Sequence, residues 1–210
     1  MSDYTTVQRL RAAIGSEVSN SDDAVLSRLI TAVSGQIDRA CRRPDGFIAV
    51  PTATVREFPS DGRALLDIDE CIAVTLVEAR PVPGADYTPW DAADWRAFSG
   101  SALAPHFTRT PFTAIMVVPG GKVRAFADGR ADSVSAPMVR VTARWGYAAS
   151  VPGTIETACI IGAARLYKRG ASAYQDAIAG SDVGMLSYRR GLDAEVEAIL
   201  RGGHFLRPRV

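Results

Sequence analysis

Lysine is almost missing from this chain: its 210 residues hold two, Lys122 and Lys168, against 22 arginines. Histidine is as scarce, with His106 and His204 alone. The formal net charge is +1, which removes the simplest argument for a nucleic-acid-binding surface. Cysteine is limited to Cys41, Cys71 and Cys159, an odd number at wide spacing. A disulfide scaffold is therefore not expected, and the pattern suits folding in a reducing cytoplasm. No apolar run approaches the roughly 20 residues that span a bilayer. The first residues also lack the basic start and apolar core of a signal peptide. The expectation is a protein made inside the cell with no membrane contact.

Catalytic signatures are missing too. There is no Gly-rich phosphate loop closed by Lys-Ser/Thr and no Gly-x-Ser-x-Gly elbow. Neither histidine stands near a cysteine or carboxylate pair at ligand spacing, so no zinc site is expected. No enzyme activity, cofactor or metal follows from these residues. Asp67, Asp69 and Glu70 form one acidic cluster. It reads either as the solvated end of a strand entering a turn or as a cation or acid/base site. The arginine excess also has two readings. One is the codon usage of a GC-rich genome; the other is a surface made for planar, bidentate contacts to carboxylates on neighbouring subunits.

What is present is an ordinary globular composition, 47% hydrophobic and 22% charged. A chain of this length supports one core that buries roughly 70% of its unfolded surface. Val7, Leu10 and Ile14 give a short first helix ended by Gly15. Ser21-Asp22-Asp23 supplies a capping oxygen and two carboxylates at the positive end of a second helix. That helix runs to Arg43, with Leu26, Leu29, Ile30, Val33, Ile37 and Cys41 on one face. Pro152 opens a third helix through Arg169, with Ile155, Cys159, Ala163 and Leu166 as its stripe. The two long stripes predict packing of Leu29, Val33 and Ile37 on Cys159 and Leu166. A final helix carries Leu192, Val196, Ile199 and Leu200, and Gly202-Gly203 ends it.

Between the second and third helices the pattern turns to period 2. Thr52–Phe58 and Val139–Trp145 alternate as single strands, and Ala64–Ile68 with Ile72–Val77 reads as a pair. Phe112–Val118 and Lys122–Ala127 read as a hairpin about Gly120-Gly121. From Pro81 to Pro111, five prolines interrupt any period, which predicts a long loop. Trp90 and Trp95 lie in it and fit either a core or a partner interface. Beyond Gly203, Phe205 and Leu206 sit beside Arg207 and Arg209 with no periodic element to bury them. That tail is either a frayed end or an anchor that orders on a partner.

The order of these parts carries a resemblance. An Asp-rich cap opens a long helix ending Asp38-Arg39-Ala40-Cys41-Arg42-Arg43, and a β-rich middle follows. Then come Val141-Thr142-Ala143-Arg144-Trp145-Gly146-Tyr147, a Val151-Pro152 helix start, Leu166-Tyr167-Lys168-Arg169, a Gly/Ser loop and a last Leu-rich helix. This arrangement resembles the head–tail connector (adaptor) proteins of tailed bacteriophages and phage-like gene transfer agents. The resemblance is strongest at residues 5–45 and 139–200.

The resemblance implies an α+β chain: a helical bundle of about four helices, a β-rich insertion between the second and third, and an extended C-terminal tail. The expected parts are a helical core of residues 1–50 and 146–203, a β-rich subdomain of 51–145 and a tail of 204–210. It further implies a structural virion protein of the neck, made in the host bacterial cytoplasm. About twelve copies would form a ring between the portal protein and the stopper or tail components, with DNA passing through the channel without sequence-specific binding. Phe205, Leu206, Arg207 and Arg209 would meet the portal, and Trp90 and Trp95 a partner. Two other classes compete: a small metal-dependent enzyme using Asp67, Asp69 and Glu70, and a DNA-binding regulatory module using the Arg-rich helix ends.

Overall fold

The structure is a computed structural model that describes residues 2–15, 22–131, 134–135, 137–171, 177–180, 184–187 and 192–206. The chain divides into two compact units: Ile48–Ser150, and Met1–Phe47 together with Val151–Val210.

The Ile48–Ser150 unit is built on a seven-stranded antiparallel sheet. Its strands are β1 (Thr54–Pro59), β2 (Leu65–Ala79), β3 (Thr88–Pro89), β4 (Trp95–Ser101), β5 (Ala104–His106), β6 (Phe112–Val117) and β9 (Pro137–Trp145). Their order is β1-β9-β2-β6-β4-β5, with β3 also on β2. Between β6 and β9, β7 (Arg130–Ala131) and β8 (Val134–Ser135) pair as a separate ribbon.

β2 is the shared strand: its first half pairs with β6, from Leu65↔Met116 to Cys71↔Phe112. Its second half pairs with β9, from Cys71↔Trp145 to Ala79↔Val139. A straight 15-residue strand would run about 50 Å. A short turn joins β1 to β2, and Arg56 on β1 reaches Asp69 on β2 at 2.7 Å. β2 changes its pairing at Cys71, and the register shifts between Asp67 and Cys71 and between Cys71 and Ala73 are the irregularities where it does so.

Both halves of β2 contribute to one core. Leu66, Ile68, Ile115 and Val117 from the β2–β6 side meet Val77, Val139, Val141, Ala143 and Trp145 from the β2–β9 side, with Phe126 and Met138. Trp145 is buried, and its indole Nε1 donates to the Thr54 carbonyl at 2.8 Å. Gly146 follows at φ +136°, and a Cβ there would lie 2.3 Å from Ala49 Cα. The glycine of Trp-Gly-Tyr is thus required by a chain crossing: Val50 N–H donates to the Trp145 carbonyl, and Gly146 N–H to the Glu70 carbonyl.

The second unit holds α1 (Val7–Ile14), α2 (Asp23–Cys41), α3 (Gly153–Ala171) and α4 (Ala194–Gly202), plus an antiparallel ribbon of β10 (Ala177–Gly180) and β11 (Gly184–Ser187). α3 packs against the other three helices. Gly162 lets them close: a Cβ there would stand 2.9 Å from Val33 Cγ1 of α2 and 3.6 Å from Val196 Cγ2 of α4. Val33, Ile37 and Cys159 are buried as the stripes predict, whereas Leu29 and Leu166 are half-buried and Leu26 and Ile30 take the inner positions.

Several expectations need correction. The chain is mixed α+β, but its main element is the antiparallel sheet, which overturns the helical bundle with a β-rich insertion. Ala64–Ile68 and Ile72–Val77 are one continuous strand, because bulges rather than a turn break their period. The Pro81–Pro111 stretch holds β3, β4 and β5; β3 and β5, at two and three residues, are too short to show alternation. Lys122–Ala127 is no strand; β6 pairs with β2 and β4 instead. Ser21 lies outside the described residues, and Asp22 makes no side-chain cap on α2; Tyr167 Oη–H donates to its carboxylate at 2.8 Å. α4 does end at Gly202 with Gly203 as its cap, and His204 follows in the left-handed region at φ +57°.

Candidate functional site

Two surfaces carry chemistry beyond packing. The first ties both ends of the chain to the end of α2. Arg42 takes the left-handed conformation at φ +54° and turns the chain so that Arg43 N–H donates to the Asp38 carbonyl at 2.9 Å. This sets Phe47 between two rings, Tyr4 at 5.7 Å and Phe205 at 5.5 Å, both edge-on. The buried Arg43 guanidinium lies 4.7 Å from the Phe47 ring centre and donates to the Phe205 carbonyl at 2.5 Å.

Tyr4 Oη–H donates to the buried Asp38 carboxylate and accepts from Phe47 N–H at 3.0 Å. Burial raises the Asp38 pKa above the usual carboxyl range, against the lowering effect of the Tyr4 hydrogen bond. Phe205 is therefore packed within its own chain, with Leu206 half-buried beside it. Gly203 is glycine because the Phe205 ring lies against it, 2.3 Å from where a Cβ would stand. Arg207 and Arg209 lie outside the described residues.

The second surface is the β4–β5 hairpin and the segment after it. Ser99 pairs with His106 and Ser101 with Ala104, which leaves Leu103 at the tip, 98% exposed. Ser99 Oγ–H donates to the Arg109 carbonyl at 2.7 Å and holds the following segment against the hairpin. The Arg96 guanidinium lies 5.6 Å from the centre of the Phe107 ring. Val74, Trp95, Arg96, Ala97, Phe107 and Phe112 line a groove of about 390 Å³.

Trp95 is half-buried at this groove, and its indole Nε1 is buried without a hydrogen-bond partner. Trp90 is half-buried and stacked on Phe126 at 4.9 Å. The two tryptophans named from the sequence thus occupy different settings: Trp90 stacks on a core ring, and Trp95 borders the groove. The Leu103 tip had no periodic signal to mark it; the sign that could have found it is an uncharged Ser-Gly-Ser-Ala-Leu-Ala run between β-prone segments.

The acidic cluster does not converge. Asp67 and Asp69 are exposed on β2, Asp69 pairs with Arg56, and the Glu70 backbone carbonyl accepts from Gly146 N–H. Among the described residues no group of three or more His, Cys, Asp or Glu side chains is placed to hold a metal ion. The three cysteines are all buried. No helix among the described residues is long and apolar enough to cross a membrane.

No family model matches this chain, and no curated protein does. Among solved structures, the fold is similar to a chain from a structure described as the neck of an empty GTA (gene transfer agent) particle computed with C6 symmetry. The TM-score is 0.51 at 19% identity, over 99% of this chain and 91% of that one. At that identity the likeness is one of fold, and it takes in both units.

Proposed function

We propose that this protein is a structural component of a phage-like particle neck, a head–tail connector (adaptor) with no enzymatic role. The observation that carries this reading is the fold likeness to a neck chain over 99% of the sequence. In this reading about twelve copies form a ring between the portal protein and the stopper or tail components, and DNA passes through the channel. A neck described with C6 symmetry is compatible with a multiple of six. The near-neutral charge suits a channel wall that must let DNA slide, since phosphate neutralisation by a basic wall would hold it.

The C-terminal segment is the proposed portal contact, through Leu206, Arg207 and Arg209. Phe205 fixes the base of that segment on Phe47, and the residues after it meet the portal. Trp95 and the groove beside it are a proposed contact for a second partner, as is the exposed part of Trp90, which stacks on Phe126.

The test is to delete the gene from the phage or agent that encodes it and image the particles. DNA-filled heads without tails, restored by the gene supplied in trans, are expected. Normal tailed particles without the protein would overturn the reading. An enzyme or DNA-binding regulator gains nothing from the arrangement of Asp67, Asp69 and Glu70 or from the helix ends.

A further inference from the structure

Half of β4 is paired along one side only. Toward β6 it pairs from Trp95↔Val117 to Phe98↔Ala114. On its other side β5 covers residues 99–101 and the ladder stops at Ser99↔His106. Among the described residues no strand takes that side of residues 95–98, and no backbone hydrogen bond joins them to a strand other than β6. The groove lies at the same place. Trp95, Arg96 and Ala97 of this open stretch form one wall, and Val74, Phe107 and Phe112 form the rest. An unpaired strand edge beside an apolar groove is a template for an added strand.

The side chains say which strand fits. Successive residues of β4 point to opposite faces, so Trp95 and Ala97 share one face and Arg96 stands on the other. Arg96 is the one charged residue that lines the groove. It is exposed and has no ion-pair partner among the described residues. Exposed Arg109 is held beside β4 through its carbonyl on Ser99 Oγ. The two carboxylates just before β4 are already engaged: Asp91 with the Lys122 ammonium at 3.6 Å, and buried Asp94 with the Lys122 N–H at 2.8 Å. On a strand added to this edge, the residue opposite Arg96 is therefore favoured as Asp or Glu, and its neighbours, facing Trp95 and Ala97, as apolar. The same cation repels a basic strand, so it selects as well as attracts. Trp95 adds a donor. Its indole Nε1 is enclosed with no acceptor among the described residues, and a small turn of the half-buried ring toward a carbonyl of the incoming strand would satisfy it.

We propose that the open edge of β4 at residues 95–98 takes an extended segment of a partner protein as an additional strand, with an Asp or Glu opposite Arg96 and apolar residues against Trp95 and Ala97. The inference deepens the reading of the Trp95 groove as a partner contact and says what enters it. Antiparallel pairing of two copies of β4 centred on this edge sets one Arg96 against the other, so a different protein is the expected occupant.

The probe is a library of random linear peptides, selected on the full-length protein and counter-selected on Arg96→Glu. Enriched sequences should share an acid with an apolar residue on each side. A synthetic peptide of that sequence should lose about 10-fold or more in affinity against Arg96→Glu, as for loss of a close charge pair, and again when its acid is replaced by Lys. Methylating one alternate set of the peptide's backbone nitrogens should abolish binding, and methylating the other set should not, because an added strand pairs through one edge. Amides within residues 95–98 should gain protection from hydrogen exchange on binding. Arg96→Glu alters an exposed side chain; Phe107→Ser, which removes one wall of the groove, is a second variant and should weaken the same peptide.

No enrichment on the wild type over Arg96→Glu would overturn the proposal. So would enriched peptides without the apolar–acid–apolar pattern, binding that survives methylation of either set, or unchanged exchange at residues 95–98. Self-association of the purified chain that Arg96→Glu abolishes would assign the edge to a second copy and overturn the partner. These outcomes leave the neck reading to the gene deletion. Normal particles assembled from a chain with Arg96→Glu and Phe107→Ser would overturn the groove as a neck contact.

Discussion

Burial decides the chemistry of single residues here. It pushes the Cys71 thiol up to about 12, helped by the charge of Asp69, and the Cys159 thiol up to about 11. Both should resist an aromatic disulfide reagent at about pH 8, near the ordinary thiol pKa, and react fully once the chain is unfolded. Fast labelling of either in the folded protein would show that these sites open. Asp38 gives a second check, through pH. Its folded pKa lies above the unfolded value, so it favours folding most below about pH 4 and progressively less as pH rises through the raised folded value. Wild-type stability measured relative to Asp38→Asn should therefore fall as pH rises above about 4. A difference that grows with pH instead would mean that the Tyr4 hydrogen bond, not burial, dominates. In the sequence Cys159 was legible only as a member of a helix stripe, and Asp38 only as part of a helix end. The left-handed Arg42 and His204 were equally hidden, since their residue types favour no such turn; surrounding contacts impose it.

At the scale of elements, the helices were legible and the strands only in part. Apolar spacing located all four helices, because each buries a continuous stripe. It did not rank positions within a stripe. Leu26 is fully buried and Leu29 half-buried, so Leu26→Ala should cost about 2–5 kcal/mol in a denaturant titration and Leu29→Ala clearly less. Gly162→Ala is a sharper probe of the helix contact, because the added methyl meets Val33 Cγ1 at 2.9 Å. A loss of about 1–3 kcal/mol is expected, and a gain from helix propensity would show that α2 yields easily. The strands were obscured where bulges broke the period, as in β2, or where proline and short length left too little to count, as in β3 and β5. The groove beside Trp95 was legible only as two tryptophans in an aperiodic stretch, since its walls come from β2, β4 and β6 and no local pattern joins them.

At the scale of the whole molecule, the C-terminal end separates stability from assembly. Removing residues 207–210 leaves Phe205 on Phe47 and should leave the unfolding transition in place. Removing 204–210 takes the Phe205 ring from its buried site and should cost a further 3–5 kcal/mol or so, the range for a large aromatic truncation. Equal melting curves for the two truncations would show that the ring contributes nothing. If the portal contact is as proposed, both fail to complete particles, but only the longer truncation does so while destabilised.

The crossing at Gly146 has an evolutionary consequence. Ala49 N–H donates to the Ala148 carbonyl at 2.8 Å, so the sheet unit begins and ends at neighbouring points of the chain. A segment that leaves and returns at one place is a cassette. It can be excised and bridged by a few residues, or exchanged for another of different size, with little demand on the chain before and after it. Recombination between related genes then has a natural seam at residues 48–50 and 146–148, where one gene can acquire another's sheet unit while keeping its own helices.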